Sequence, residues 1–407
     1  MGISETRLRE TQTDVIRQVG QTAVQFLDAI RLVVPEQSHF TGHKNPCFYS
    51  NVTIGNHLDE ILFTYFRPEF SKGLNMLRKF VSKENLLNMV VHHNSLMCLP
   101  YFYIAGFPKS ATTSLHKALQ KHPQIVGPIN KEPHWWTRVD GLSNYADFPW
   151  DYAKFYVWTY LIFFKEACKK IETGNGDDII TYDGSQSLLW DSNFFQGGQD
   201  YCAMPAVLSR VQPRAKFIVV MRNPTTRLYS HFIWSFKYHL GNLDRWPARI
   251  RENASNSFHS EVVSVTNQFK NCLKSLSLYE CASGFKSPGD KMSVGHKFYI
   301  GLYYVHLKKW LQFFPREQFL FLRMEDMVTN FTAAMVQIAD FLGLRQVASG
   351  KIEKWLTKTN HRVNRVASDD IFVMQNKTKV LLDEVYGPYN QLLADLLDND
   401  NYLWSDQ

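Results

Sequence analysis

The 407-residue chain contains no long hydrophobic run. Its longest early apolar stretch, Ala23 to Val34, is broken by Gln25, Asp28 and Arg31, so it is too short and too polar to cross a bilayer and lacks the layout of a signal peptide. None of the six cysteines forms a C-x-x-C, which argues against a zinc site or a dithiol redox motif. There are no repeats, no low-complexity tracts, no dense basic run and no aromatic–glycine RNA motif, so nucleic acid is a poor fit despite a formal net charge of +7. What is present is a globular composition, 45% hydrophobic and 20% charged, able to bury a core. The modest positive excess suits anionic ligands.

The most informative stretch runs from Tyr101 to Arg138. An apolar run, YFYIAGF, reads as a buried strand that breaks at Gly106-Phe107-Pro108 and leads into a helix with Leu115, Ala118 and Leu119 on one face. Lys109, Ser110, Thr112, Thr113 and Ser114 stand at the join. Free backbone N–H groups at a helix start, together with a lysine and hydroxyls, make a cradle for phosphate. The competing reading is a plain strand–turn–helix with a capping hydroxyl. No second glycine precedes Lys109, so the nucleotide-triphosphatase pattern G-x-x-x-x-G-K-[ST] is not met. The short loop resembles instead the 5′-phosphosulfate loop of sulfotransferases, which use 3′-phosphoadenosine 5′-phosphosulfate (PAPS).

A second element has the matching chemistry. Ala215 to Arg222, AKFIVVMR, reads as a buried parallel strand, and it ends in Arg222-Asn223-Pro224 with Arg227 and Ser230 following. A strand-end guanidinium can fork onto a phosphate, Pro224 opens a helix, and Ser230 adds a hydroxyl two turns in. Taken alone, Arg222 could equally be a surface ion pair. The spacing R-x-P-x-x-R-x-x-S resembles the sulfotransferase 3′-phosphate motif.

KEPHWWTR (Lys131 to Arg138), YDGSQSLLWD (Tyr182 to Asp191), the Cys272/Cys281 pair, GLYYVHLKKWLQFF and FLFLRMED resemble the Golgi carbohydrate sulfotransferases over about Lys44 to Leu397. Within that family the likeness is to enzymes that place a 6-O-sulfate on 4-sulfated N-acetylgalactosamine. The family reads P-K-C-G-T-T-D where this chain has Pro108 to Ser114, so Ala111 replaces a glycine. It is expected to fit as a first-turn helix residue.

The resemblance implies an α/β, P-loop-like sulfotransferase fold with a central parallel sheet flanked by helices. It implies PAPS as donor, 3′,5′-adenosine bisphosphate as product, and no metal. It also implies a sulfated polysaccharide acceptor, a homodimer, and residence in the Golgi through an N-terminal anchor that is not visible in this chain. Lys109 is expected at the bridging oxygen and the 5′-phosphate, with the N–H groups of Ala111 to Ser114 and the hydroxyls of Thr112 and Thr113 around it. Arg222 and Ser230 are expected on the 3′-phosphate, and Arg365, in a late basic loop, over the nucleotide or simply in solvent. Glu132 occupies the place of the catalytic glutamate of related heparan sulfate sulfotransferases, and an apolar, tryptophan-walled setting is expected to raise its pKa. His134 is the alternative base. Arg138, Ser185 and Ser187 are candidate acceptor contacts, and Trp135 and Trp136 either stack on sugars or fill core.

Cys272 pairs with Cys281 by resemblance. Cys47–Cys98 and Cys168–Cys202 are further pairings, against the alternative of buried free thiols. Sequons at Asn51, Asn253, Asn330 and Asn376, together with the cysteines, favour a secretory compartment. The chain reads as a helical stem (1–43), an N-terminal extension packed on the core (44–98) and a PAPS-dependent domain (99–407). Strands are expected at 101–107, 178–183, 215–222 and 318–323, a polar loop-like insertion at Gly241 to Lys297, and a last helix near Asn376 to Leu397. Three functions fit: transfer to a glycosaminoglycan, transfer to another glycan or a small alcohol, and a non-catalytic nucleotide binder. The last would take ATP without needing Arg222.

Overall fold

The apolar runs become strands at the expected places. A computed structural model describes residues 27, 30–31, 33–36, 41–50, 95–137, 157–191, 204–240, 248–284, 294–357 and 373–405. Strand β1 (Cys47–Ser50) pairs antiparallel with β2 (Ser95–Cys98). Strands β3 (Phe102–Gly106), β4 (Ile125–Val126), β5 (Ile180–Asp183), β6 (Lys216–Met221) and β7 (Phe319–Arg323) form a parallel sheet in the order β4-β5-β3-β6-β7. Strands β3 and β5 are buried at every position and β6 at all but its first, the burial expected where helices cover both faces.

Helix α1 (Thr112–Leu119) follows β3, while α2 (Lys165–Lys170) and α3 (Met204–Val211) precede β5 and β6. Helix α4 (Pro224–Leu240) follows β6 and is succeeded by α5 (Ala248–Cys272), α6 (Leu278–Gly284), α7 (Val294–Tyr299) and α8 (Tyr303–Trp310). After β7 come α9 (Met324–Thr329), α10 (Phe331–Leu342), α11 (Ser349–Thr357) and α12 (Asn376–Leu397). The last of these has the bounds read from sequence.

The sheet order decides where a ligand belongs. From β3 the chain runs toward β4, and from β6 toward β7, so connections leave these neighbouring strands in opposite directions. The carboxyl ends of β3 and β6 therefore form a topological switch point, where open α/β sheets bind ligands. Just past β3, the Phe107 N–H donates to the Val220 carbonyl of β6 at 2.8 Å.

Residues fall into two compact units, 1–105 with 119–218 and 313–319, and 106–118 with 219–312 and 320–407. In the first, Cys47, Leu96, Cys98, Cys168, Ile171 and Ile179 pack together. In the second, the core gathers Leu228, Phe258, Val262, Phe298, Leu302, Leu382 and Tyr386, among others.

Two expectations change. The Gly241 to Lys297 stretch is not loop-like where it is described, because α5 alone spans 25 residues. Its buried residues Ala254, Phe258, Val262, Val265 and Phe269 recur at helical spacing, and the polar impression came from the opposite face. Cys168 is a free, buried thiol and not half of a disulfide, while Cys202 lies outside the described residues. Most of the stem and extension also lies outside them, but Leu27, Ile30 and Val33 are helical and buried. The pairings Cys47–Cys98 and Cys272–Cys281 are formed. For the former, the β1–β2 register sets the two residues directly opposite. Asn330 caps α10 by accepting from the Ala333 N–H at 3.0 Å, a second use for a sequon asparagine. Among the described residues, no helix is long and apolar enough to span a membrane.

The disulfides close loops of 51 and 9 residues. Chain entropy assigns them about 4 and about 2.5 kcal/mol respectively. Replacing Cys47 and Cys98 with alanine should therefore lower the Tm more than replacing Cys272 and Cys281, as measured by calorimetry.

Candidate active site

The turn after β3 owes its shape to two left-handed residues. Lys109 has φ 68° and Ala111 has φ 59°. Ala111 thus sits outside the helix, in a conformation that glycine adopts without cost, and not in the first helical turn as expected. Its carbonyl accepts from the N–H groups of Ser114 at 2.9 Å and Leu115 at 3.1 Å. The Ser114 amide is therefore spent inside the turn. The amides of Thr112 and Thr113 precede the first intrahelical bond and remain donors of the helix start. Ser110 is 0% exposed, and its Oγ has no hydrogen-bond partner. A buried orphan hydroxyl of this kind calls for a ligand. Thr112 is buried and Thr113 exposed.

Arg222 comes directly after β6 and turns toward this loop. Its Nη1 donates to the Lys109 carbonyl at 3.4 Å and its Nε to Thr226 Oγ1 at 3.0 Å. Burial pulls the guanidinium below its usual pKa while Glu325 works the other way. The Arg222 carbonyl accepts from the Tyr303 hydroxyl at 2.7 Å. The next residue, Asn223, caps α4: its Oδ1 accepts from the N–H groups of Thr225 at 3.0 Å and Thr226 at 3.2 Å. Ser230 is buried two turns along α4. Arg227, from the same motif, is wholly buried and donates to the Lys297 carbonyl, so it is a structural member of α4. All of these residues belong to the second unit.

The first unit carries a separate cluster. Glu132 forms an ion pair with Lys131, and its Oε2 lies 3.3 Å from His134 Nε2. His134, at φ 51°, is held by Ser185 Oγ, which accepts from its backbone N–H at 2.8 Å, and by Ser187 Oγ, 2.6 Å from Nδ1. Gly184 is required here, because a Cβ at that position would stand 2.6 Å from the Lys131 carbonyl oxygen. Beneath, Asp183 ends β5 fully buried, accepting from the Ser185 N–H at 2.8 Å and the Tyr160 hydroxyl at 2.9 Å. Trp135 and Trp136 are buried, with Trp135 stacked on Tyr160 at 4.7 Å.

The electrostatics of the two carboxyls diverge. Burial alone would push Glu132 up, but the His134 hydrogen bond and the Lys131 ammonium outweigh it and hold the group at about 2. The expected upward shift is therefore reversed, because His134 hydrogen-bonds to the carboxylate and the sequence neighbour Lys131 folds onto it. Asp183, by contrast, is raised to about 6 by burial, with its hydrogen bonds only partly offsetting the shift.

The family model for the Sulfotransferase domain matches residues 99–379, most of the chain. The chain belongs to the sulfotransferase family. It is 32% identical over 385 residues to carbohydrate sulfotransferase 15 of Mus musculus, covering 89% of this chain and 65% of that protein. Against carbohydrate sulfotransferase 15 of Homo sapiens the identity is 30% over the same coverage. The chain thus spans 65% of the length of these relatives. A crystal structure of a sulfotransferase from Alicyclobacillus acidocaldarius aligns with a TM-score of 0.45 at 19% identity, over 74% of this chain and 97% of that one.

Within this chain the sequence-derived residues separate cleanly. Lys109, Ser110, Ala111, Thr112, Thr113, Ser114, Arg222 and Ser230 gather around the β3 and β6 ends in the second unit. Glu132, His134, Ser185 and Ser187 gather in the first, where the two serine hydroxyls are committed to His134. Trp135 and Trp136 take the core-filling alternative. Arg138 and Arg365 lie outside the described residues. Two residues were missed. Asp183 stood in a quoted motif but carried no local sign of burial. Trp234, whose ring lies 4.7 Å from Lys109 Nζ, is separated from it by over a hundred positions and carries no motif of its own.

Asp183 has a folded pKa above its ordinary 3.8, so its stabilising protonated form is fully present below 3.8 and lost as pH rises through about 6. Glu132 runs oppositely: its contribution is present above 4.5 and lost as pH falls through about 2. Asp183→Asn should therefore raise the Tm relative to the parent more at pH 7 than at pH 4.5. An equal difference at both pH values would refute the assignment.

Proposed function

We propose that the chain transfers a sulfuryl group from PAPS to a hydroxyl of a glycosaminoglycan, the 6-O of 4-sulfated N-acetylgalactosamine in chondroitin or dermatan sulfate. The observation that carries the donor reading is the approach of Arg222 to the Lys109 loop at the β3/β6 switch point. A strand-end guanidinium held against a loop that carries a lysine favours an anionic ligand. The loop fits such a group, because the buried Ser110 hydroxyl lacks a partner and the first amides of α1 point out of the helix start.

Arg222 and Ser230 would hold the 3′-phosphate. Lys109, Ser110, Thr112 and Thr113, with the amides of Ala111 to Thr113, would hold the 5′-phosphate. When bound, the donor would supply the sulfuryl group, with adenosine 3′,5′-bisphosphate as the product. The Lys109 ammonium then stabilises negative charge on the departing oxygen, a transition-state role of the electrostatic kind. Glu132 is the candidate acceptor of the hydroxyl proton, oriented by His134 and ionised at neutral pH. The carbohydrate acceptor is supported by the likeness to relatives named carbohydrate sulfotransferase 15.

Calorimetry tests the donor site. Arg222→Ala should weaken adenosine 3′,5′-bisphosphate binding by about 1.5–3 kcal/mol, the size of a charged hydrogen bond. Equal affinity of the parent protein for the bisphosphate and for adenosine 5′-phosphate would overturn the reading. Glu132→Gln should depress turnover with bisphosphate affinity unchanged, and an unimpaired rate would remove it as the base. Radiolabelled PAPS offered with chondroitin, dermatan and heparan sulfates tests the acceptor, with label expected in the first two.

A further inference from the structure

The indole of Trp234 is 49% exposed, yet it does not lie idle on the surface. Lys109 Nζ sits over its ring, 4.7 Å from the centroid, within the range of a cation–π contact. We propose that Trp234 is a positioning residue for sulfuryl transfer, holding the Lys109 ammonium on its π face. The inference rests on the reading of Lys109 as the donor-site lysine.

The placement argues for this role. Trp234 follows Ser230 by four residues on α4, so the two side chains share one face of the helix. One rigid element, anchored by the Asn223 cap, thus carries both the hydroxyl assigned to the 3′-phosphate and the ring that receives the lysine. The Lys109 backbone is already constrained, by its left-handed φ of 68° and by the Arg222 contact to its carbonyl at 3.4 Å. The side chain that carries the charge is long, and a flexible ammonium must be ordered before it can act on a transition state. A carboxylate partner would order it but would also neutralise it. An indole face orders it and leaves the charge intact, and its weaker hold lets the ammonium shift to an oxyanion. His231 lies on the same helix with its ring centroid 6.0 Å from that of Trp234.

The test keeps the shape of the ring and changes its electrostatics. Site-specific replacement of Trp234 in the full chain by mono-, di- and trifluorotryptophan withdraws the ring quadrupole stepwise. The turnover number with PAPS should fall monotonically, to about tenfold below the parent at three fluorines, while bisphosphate affinity changes less than about twofold. Trp234→Phe should keep most of the rate, and Trp234→Leu should lose about tenfold or more. A rate indifferent to fluorination, or Trp234→Phe as slow as Trp234→Leu, would overturn the inference in favour of simple packing. A loss confined to bisphosphate affinity would overturn it too, making the indole a wall of the nucleotide site. A parent protein that neither binds bisphosphate nor transfers from PAPS would remove the donor reading itself, and this inference with it.

Discussion

A guanidinium reaches from the end of one central strand to the carbonyl of Lys109 in the turn that closes its neighbour, and the candidate site at these strand ends is organised around that contact. Arg222 cannot move far. Its own carbonyl is held by Tyr303, its Nε by Thr226, and the following residue caps α4. The loop is equally constrained, with Phe107 bonded to Val220 and two residues in left-handed conformations. Each restraint is individually small. Together they fix a largely buried guanidinium against the lysine turn, and a buried positive charge is costly without an anion and favourable with one. Ser110 adds the same message in neutral form, since a buried hydroxyl without a partner costs stability until something binds it.

The other chemistry-bearing cluster shows how environment sets the character of like groups. Glu132 and Asp183 are both carboxyls in one compact unit. Lys131 and His134 hold the first ionised, and burial beside Tyr160 raises the second to about 6. Carboxyls driven apart in this way mark division of labour in active sites. Here the ionised one carries the imidazole contact, and the buried one anchors the Ser185 turn from which His134 is positioned.

Much of this was legible in the residues. Continuous apolar runs announced β3, β5 and β6, because a strand covered on both faces needs no polar alternation. The lysine–hydroxyl cluster and the strand-end arginine were visible because they stand at the ends of those apolar runs, where a change of residue type shows in the chain order itself. Other features were hidden. Helix α5 was obscured by the polar face that it turns outward, though its apolar stripe was there to be counted. Ala111 carried no sign of its left-handed backbone beyond standing where the resembling family has glycine. The descent of Glu132 came from the placement of His134 and Lys131 on its carboxylate, which composition does not encode. Trp234 had no motif and became interesting only when folding carried it to Lys109.

Taken by itself, the order of residues determined which segments are strands and which short stretches are chemically equipped to hold an anion. Both follow from local periodicity and from the identity of side chains within about ten positions. Tertiary structure alone decided which of those groups meet, which cysteines join, and which carboxyl stays charged. Such outcomes depend on distances and on the exclusion of water between residues far apart along the chain, and electrostatic and hydrogen-bond energies are set by those separations and not by sequence proximity.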